Sequence, residues 1–433
     1  MNRNTVVSIF ALLCATTAWS APSATPTPSP TAAADSNQEI ERRIDLLADD
    51  LQRLKLGSAG VSADATAYGL GPAASKVYRA NPGVSLGGYG EMIYDRFAKN
   101  RSDGSALGLV DRLNLTRVVF YFGYKWDERW IFNSEVEYEN ASTEGSGEVS
   151  VEFAYLDRLI SKEFNFRIGN LLIPIGWINE LHEPVVFLGA SRPVTELTLI
   201  PTTWDENGLG IFGTVGSFNY KAYLVAGLNA SAFNATGLDE AKQGGSNTNA
   251  DAWALATRWD YTSIPNVSLG ISAYVGGSSR NPDTERQDSG TDSIFTQIYD
   301  IHAQYRNAGL WLRALLVANF IKDAGELNAQ RLANPDLFVA SQMRGGYLEA
   351  GYDLKQGLGP YRLMPFARFE VVQTQAKMPT GYAALTDTDQ KILTAGIQYL
   401  PMDQVVFKGN FTRTFLPESR SYNQIQLSMG YIF

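Results

Sequence analysis

From Gly83 to the C-terminus, apolar and polar side chains alternate in short runs separated by turn-forming residues. A period of two puts successive side chains on opposite faces of a strand. The last run shows it plainly: Leu427, Met429, Tyr431 and Phe433 share one face, and the chain ends on an aromatic. An ordinary half-buried strand of a soluble protein can alternate in this way, but gains little from stopping on Phe. A lipid-facing barrel strand uses both features, with the aromatic at the membrane interface. Further runs predict strands at 84–92, 113–124, 130–139, 148–157, 164–175, 208–215, 218–229, 251–261, 267–276, 293–305, 309–320, 344–352, 362–372, 391–400 and 404–414. With the last run, 422–433, they predict sixteen strands.

The links between the runs alternate in length. Gly216-Ser217, Arg306-Asn307-Ala308 and Met402-Asp403 are tight turns, whereas 230–250, 278–292, 321–343 and 373–390 are long and polar. Short turns at one end and long loops at the other are the rhythm of an outer-membrane barrel. In 309–320, Leu310, Leu312, Ala314, Leu316 and Ala318 oppose Arg313 and Asn319. In 404–414, Val405, Phe407 and Phe411 oppose Lys408 and Asn410. A barrel of this many strands is too wide to fill with its own apolar side chains, so the apolar face is expected outside, towards lipid. Closure satisfies the backbone, as hydrocarbon demands. The fold class predicted is an all-β membrane protein, a 16-stranded antiparallel transmembrane β-barrel over 83–433 with a short N-terminal coiled-coil helix.

The N-terminal part has a different texture. Residues 1–20 read as a signal peptide, with Arg3, an apolar run from Val6 to Ala15, and small residues at Ala18 and Ser20. Residues 21–34 are a Pro/Thr/Ala-rich linker. Ser36 and Glu39 form a capping box, and Ile40, Ile44, Leu47, Leu51 and Leu54 space a heptad seam that Gly57 closes. Residues 35–56 therefore predict a periplasmic coiled-coil helix, or a single amphipathic helix lying on the barrel or membrane. Residues 57–82, rich in Gly, Ala and Ser, read as a second linker. The one cysteine, Cys14, lies in the signal, which leaves no thiol chemistry for the mature chain. The net charge of -9 makes nucleic acid an unsuitable partner.

Three segments carry a family resemblance. Phe166-Arg167-Ile168-Gly169-Asn170-Leu171-Leu172-Ile173-Pro174-Ile175-Gly176 leads through Asn179-Glu180-Leu181-His182-Glu183-Pro184 to Ser191-Arg192-Pro193. It is similar to the strand-and-loop signature of the phosphate-selective porin O and P family. Leu363 to Glu370 resembles that family's late Pro/Arg strand, and Gly396 to Asn410 its penultimate hairpin. The resemblance implies a trimeric sixteen-stranded outer-membrane porin. Family members that select phosphate line the pore with an arginine ladder and a lysine cluster, and no ladder is visible here.

The segment from Gly176 to Asp205 holds the place of the third outer loop, which in such porins bends into the lumen. Pro184, Pro193 and Pro201 stiffen it, and Trp177, Leu199 and Trp204 offer anchors. Glu180, Glu183, Arg192, Glu196 and Asp205 are the candidate constriction residues, since facing charges set selectivity where a pore narrows. The alternative role for these charges is to pin the loop to the wall. The candidate pore wall comprises Arg167, Lys221, Arg258, Arg313, Arg368 and Lys408 with Glu135 and Glu137. Cross-strand neighbours such as Arg368 and Glu349 can neutralise one another instead of meeting solute.

The chain has two histidines, His182 and His302. His302 falls opposite the outward Tyr299 and Ile301, and no Ser-His-acid spacing is present. No enzyme activity, cofactor or metal is expected. The partners expected are outer-membrane lipid, small hydrophilic solutes, two further copies of the chain, and the barrel-assembly machinery through Leu427, Met429, Tyr431 and Phe433. The functional expectation is an outer-membrane porin, a water-filled channel for passive diffusion. An anion-selective channel for phosphate or small dicarboxylates, and a closed barrel acting as enzyme or adhesin, stand as alternatives.

Overall fold

Alternation along the chain becomes a single closed sheet. The computed structural model describes Arg43 and residues 66–142, 147–278, 294–354 and 361–433. The predicted signal, first linker and coiled-coil helix lie outside the described residues, Arg43 excepted. The strands are β1 (Gly83–Phe97), β2 (Arg112–Lys125), β3 (Trp130–Glu139), β4 (Glu148–Leu159), β5 (Asn165–Leu172), β6 (Asp205–Val215), β7 (Phe218–Ala226) and β8 (Trp253–Tyr261). They continue as β9 (Val267–Ser278), β10 (Ile294–Asn307), β11 (Leu310–Ile321), β12 (Gln342–Tyr352), β13 (Arg362–Lys377), β14 (Asp389–Met402), β15 (Val405–Phe415) and β16 (Tyr422–Ile432). Each pairs antiparallel with its sequence neighbours, and β1 pairs with β16 to close the barrel. At the closure Met92 faces Met429 and Tyr94 faces Leu427. No sheet edge is left open, the condition for a sheet in hydrocarbon.

The expected outward face is apolar and exposed: Leu316 is 67% exposed and Ile301 64%, while their neighbours Arg313 and His302 are buried inside. Phe120, Trp253, Leu255, Leu348, Phe369, Phe407 and Leu427 continue this band. The links at the end carrying the barrel's termini are short, such as 126–129, 216–217 and 403–404; those at the other end include 98–111, 173–204 and 227–252. No helix among the described residues is long and apolar enough to cross a membrane.

Among the boundaries that depart from the alternation, two flank the inward turn. β5 ends at Leu172, not 175, and β6 begins at Asp205, not 208. Pro174 has no N–H to continue the ladder, and Gly176 takes a φ of +72°, so the chain leaves the wall and turns into the lumen. A larger correction concerns the second linker. Its described part, 66–82, belongs to the same compact unit as the barrel and packs on the inner wall. Leu70, Ala73, Ala74 and Val77 are buried there, and Lys76–Arg79 makes one short helical turn. Composition suggested a tether because the residues are small. Small residues are also what a narrow space inside a barrel admits.

Candidate functional site

The inward-facing residues of the barrel surround the segment 173–204, which runs round the lumen touching strand after strand. Ile173, Ile175, Ile178, Val185, Val186, Phe187, Leu199, Ile200 and Trp204 form one apolar cluster with the lumenal Tyr89, Tyr121, Phe153, Tyr155, Tyr223, Tyr274 and Tyr347. A second cluster joins Leu188 of the loop to Trp311, Met364 and Phe366. The lumen is therefore packed where a wet interior was expected. The loop brings its own apolar side chains, which the wall's tyrosines cover.

Polar wall residues hold this loop by its backbone. Asp300 accepts from the Gly176 N–H at 3.0 Å. Arg258 donates to the Gly176 carbonyl and also grips Asp260 at 2.7 Å. His302 lies between Asp300 at 2.5 Å and Asp260 at 2.8 Å, with Trp177 edge-on to its ring. Further round, Arg313 donates to the Val186 carbonyl at 3.3 Å and Lys408 to that of Phe187 at 3.0 Å. Arg368 donates to Leu188 and Ser191 carbonyls and pairs with Glu349 at 3.1 Å and Glu370 at 2.9 Å. Asn410 accepts from the Ala190 N–H at 2.7 Å, and Glu370 from that of Thr195 at 3.0 Å. A loop at this depth must satisfy its backbone groups within the protein, and charged partners do so most strongly.

The five predicted constriction residues are buried and all bonded. Glu180 meets Lys221 at 2.5 Å. Glu183 accepts from the N–H groups of Ala73 at 2.9 Å and Ala74 at 3.0 Å. Burial pushes the Glu183 carboxyl up to about 7, against the opposing pull of those N–H groups. Glu196 accepts from the Trp177 and Ile178 N–H groups, both at 2.7 Å, and from the Tyr347 hydroxyl at 2.6 Å. Burial raises it as well, with the hydrogen bonds opposing. Arg192 donates to Thr202 at 2.5 Å, and Asp205 accepts from Asn170 at 2.6 Å. Burial, and then nearby Arg117, lower the Arg192 guanidinium. Glu180 and Glu196 thus tie the loop to the wall through Lys221 and Tyr347, whereas Glu183 bonds 73–74, Arg192 bonds within the loop, and Asp205 joins β6 to β5.

The candidate wall residues are buried on the inner face of the barrel. Arg167 is 1% exposed and makes a bidentate pair with Asp157 at 2.7 and 2.8 Å. Glu135 is 0% exposed and meets His182 at 3.1 Å; Glu137 lies 3.6 Å from Arg117. His182 also bonds the Asn179 carbonyl at 2.7 Å, so it is a strut between loop and wall. Ser272 donates to Asp300 and not to His302, so the Ser, His and Asp gathered here do not form a nucleophile–base relay. Among the described residues no group of three or more metal-ligating side chains is assembled. Two features escaped sequence reading: the Arg258–Asp260–His302–Asp300 chain and the wall contacts of 66–82. The first left a signal, since Asp260 and Asp300 have the same strand parity as Arg258 and His302.

No family model matches the chain. An uncharacterized protein of Aquifex aeolicus (strain VF5) is 34% identical over 377 residues, covering 84% of this chain and 83% of that protein. Among solved structures, the anion-selective porin from Comamonas acidovorans is similar at 12% identity and a TM-score of 0.52, over 81% of this chain and 99% of that one. Salmonella typhi OmpF in complex with daunomycin is similar at 13% identity and 0.51, over 81% and 97%. The trimer form of in-vitro folded OmpT, an outer-membrane protein of Vibrio cholerae, is similar at 9% identity and 0.50, over 82% and 100%. At these identities the likeness is one of fold: a porin-type sixteen-stranded barrel.

Proposed function

The chain belongs to one family with that Aquifex aeolicus protein, and from its barrel we propose that it is an outer-membrane porin, a channel for passive diffusion of small hydrophilic solutes. One observation carries the reading: the closed sixteen-stranded wall turns an apolar band outward and ionic and amide side chains inward. A permanently dry core has no use for Lys125, Asp157, Arg167, Lys221, Arg258 and Lys408 on its wall, since each buried charge must be compensated. The strand–Pro–Gly segment that turns into the lumen supports placing the chain near the phosphate-selective porin O and P family. The same proposal includes removal of 1–20 on export, a periplasmic coiled-coil arm at 35–56, a homotrimer, and recognition of Leu427, Met429, Tyr431 and Phe433 by the assembly machinery.

Two expectations test the channel. Purified mature protein in planar bilayers gives discrete conductance steps, and asymmetric KCl yields a reversal potential that separates a neutral pore from an anion pore. A second reading, a closed barrel without transport, is favoured by the water-shielded inner wall. It prevails if neither the wild type nor a variant with 177–203 replaced by a short Gly/Ser linker conducts.

A further inference from the structure

The segment 66–80 is held inside the barrel in a way unlike any of its neighbours. It pairs with no barrel strand. Its order comes from a local fold, in which Ser75 bonds Ala67 and Leu70, and from side-chain bonds supplied by the wall and the loop. Asn133 donates to the Ala74 carbonyl at 2.9 Å, and Lys125 to that of Ala80 at 3.1 Å. Tyr78 donates to Asp157 at 2.6 Å and accepts from Arg167 at 3.0 Å. Glu183 takes the N–H groups of Ala73 and Ala74, and the Gly71 N–H donates to the Glu180 carbonyl at 3.2 Å. Two glycines make the fit. A Cβ on Gly71 would lie 2.4 Å from Glu183, and one on Gly123 of β2 would lie 2.8 Å from the Val77 Cβ.

The wall beneath the segment mixes aromatic rings, which pack on Leu70, Ala73 and Ala74, with ionic and amide groups. Lys125, Asn133, Asp157, Arg167 and Lys221 line β2 to β5 and β7 there, and all are shielded from water. Its ionic and amide groups would hydrate once the segment left. A single helical turn has no stability of its own. Leaving the wall thus costs a set of side-chain bonds and a few buried small residues, with no break in the sheet. Resting on the channel reading above, we propose that residues 67–80 are a displaceable plug that closes the β2–β7 side of the lumen, with the Glu183 carboxylate as its latch to the inward loop.

The test is conductance of the full mature chain in planar bilayers. A variant carrying Val77→Cys, Gly123→Cys and Glu183→Ala loosens the latch and allows the plug to be tethered. The Cβ spacing is about 1 Å short of a disulfide's, a shift a segment outside the sheet can make. The single native cysteine, Cys14, lies in the segment 1–20 proposed to be removed on export, so the mature protein supplies no competing thiol. Reduced, this variant conducts; oxidised, with the cross-link verified by mass, its conductance falls about tenfold or more, the scale set by the constraint a disulfide imposes. Deleting 67–80 gives conductance in either redox state. Equal conductance of the oxidised and reduced forms overturns the plug. So does a silent reduced variant, or a deletion that conducts no more than wild type, when the protein with 177–203 replaced does conduct; the channel reading then survives alone. Silence of every variant, that one included, overturns the channel reading and the plug with it. If the deletion does not fold, the redox comparison decides.

Discussion

Two arcs of the inner wall meet the same loop on different terms. From β2 to β7 the inward positions are ionic or aromatic: Lys125, Glu135, Asp157, Arg167, Lys221 and Tyr223. From β14 to β16 they are mostly neutral: Thr394, Gln398, Asn410, Thr412, Gln426 and Ser428, with Lys408 the exception. In the first arc charges meet in pairs at 2.5 to 3.1 Å, and the plug lies over them. In the second, hydroxyls and amides bond one another, as Thr394 does Thr412 at 3.2 Å and Asn410 does Gln426 at 3.1 Å. The difference is one of consequence. A buried ion left alone costs several kcal/mol, whereas a neutral group left alone costs about 1–3. The ionic arc therefore holds the inward loop tightly, and the neutral arc only loosely.

Substitutions can break that contrast, beginning where the effect is greatest. Arg167→Ala strands Asp157 and frees Tyr78, so it lowers stability by about 3–5 kcal/mol; a urea titration of the vesicle-inserted protein, read by tryptophan fluorescence, measures it. A loss under 1 kcal/mol would mean that the ionic arc is not a clamp. Glu180→Ala and Lys221→Ala each cost about 3 kcal/mol, yet the double variant costs no more than either alone, because neither charge is then left unpaired. Strict additivity in that cycle would show the two to be independent.

The latch adds a pH dependence. Burial sets Glu183 at about 7, above an ordinary carboxyl, so the folded protein binds the proton more tightly than the unfolded chain. This contribution to stability is full below the ordinary carboxylate range and is lost as pH rises through about 7. Arg79 of the plug, Tyr121 of β2, Glu135 of β3 and His182 of the loop share this neighbourhood. Stability in the same urea titration should therefore fall between pH 5 and pH 7.5, by on the order of 1 kcal/mol, and Glu183→Gln should flatten the curve. An unchanged slope in that variant would assign the titration to another group. The smallest effect belongs to the neutral arc. Thr394→Val removes one hydroxyl pair and costs about 1 kcal/mol or less in the same urea titration; a larger loss would erase the distinction between the arcs.

Much of this barrel is written locally. Strand positions, the direction each side chain faces and the outward band follow from a period of two, which any short window of the chain contains. Arg313 and Leu316 can be assigned to opposite faces from 309–320 alone. The end of β5 at Leu172 was not read from the alternation, which ran on to 175, although Pro174 and Gly176 act there through their own backbones. Nor were the partners of the inward charges legible. Whether Glu180 faces solute or Lys221, and whether Glu183 lines a pore or latches a plug, depends on the path of 173–204 and on where 66–82 comes to rest. Those are contacts between residues more than a hundred positions apart in the case of Ala73 and Glu183. Alternation determines which side of the wall a residue occupies; only the tertiary structure decides what fills the space on that side, because packing inside a closed barrel is set by segments that carry no strand pattern of their own.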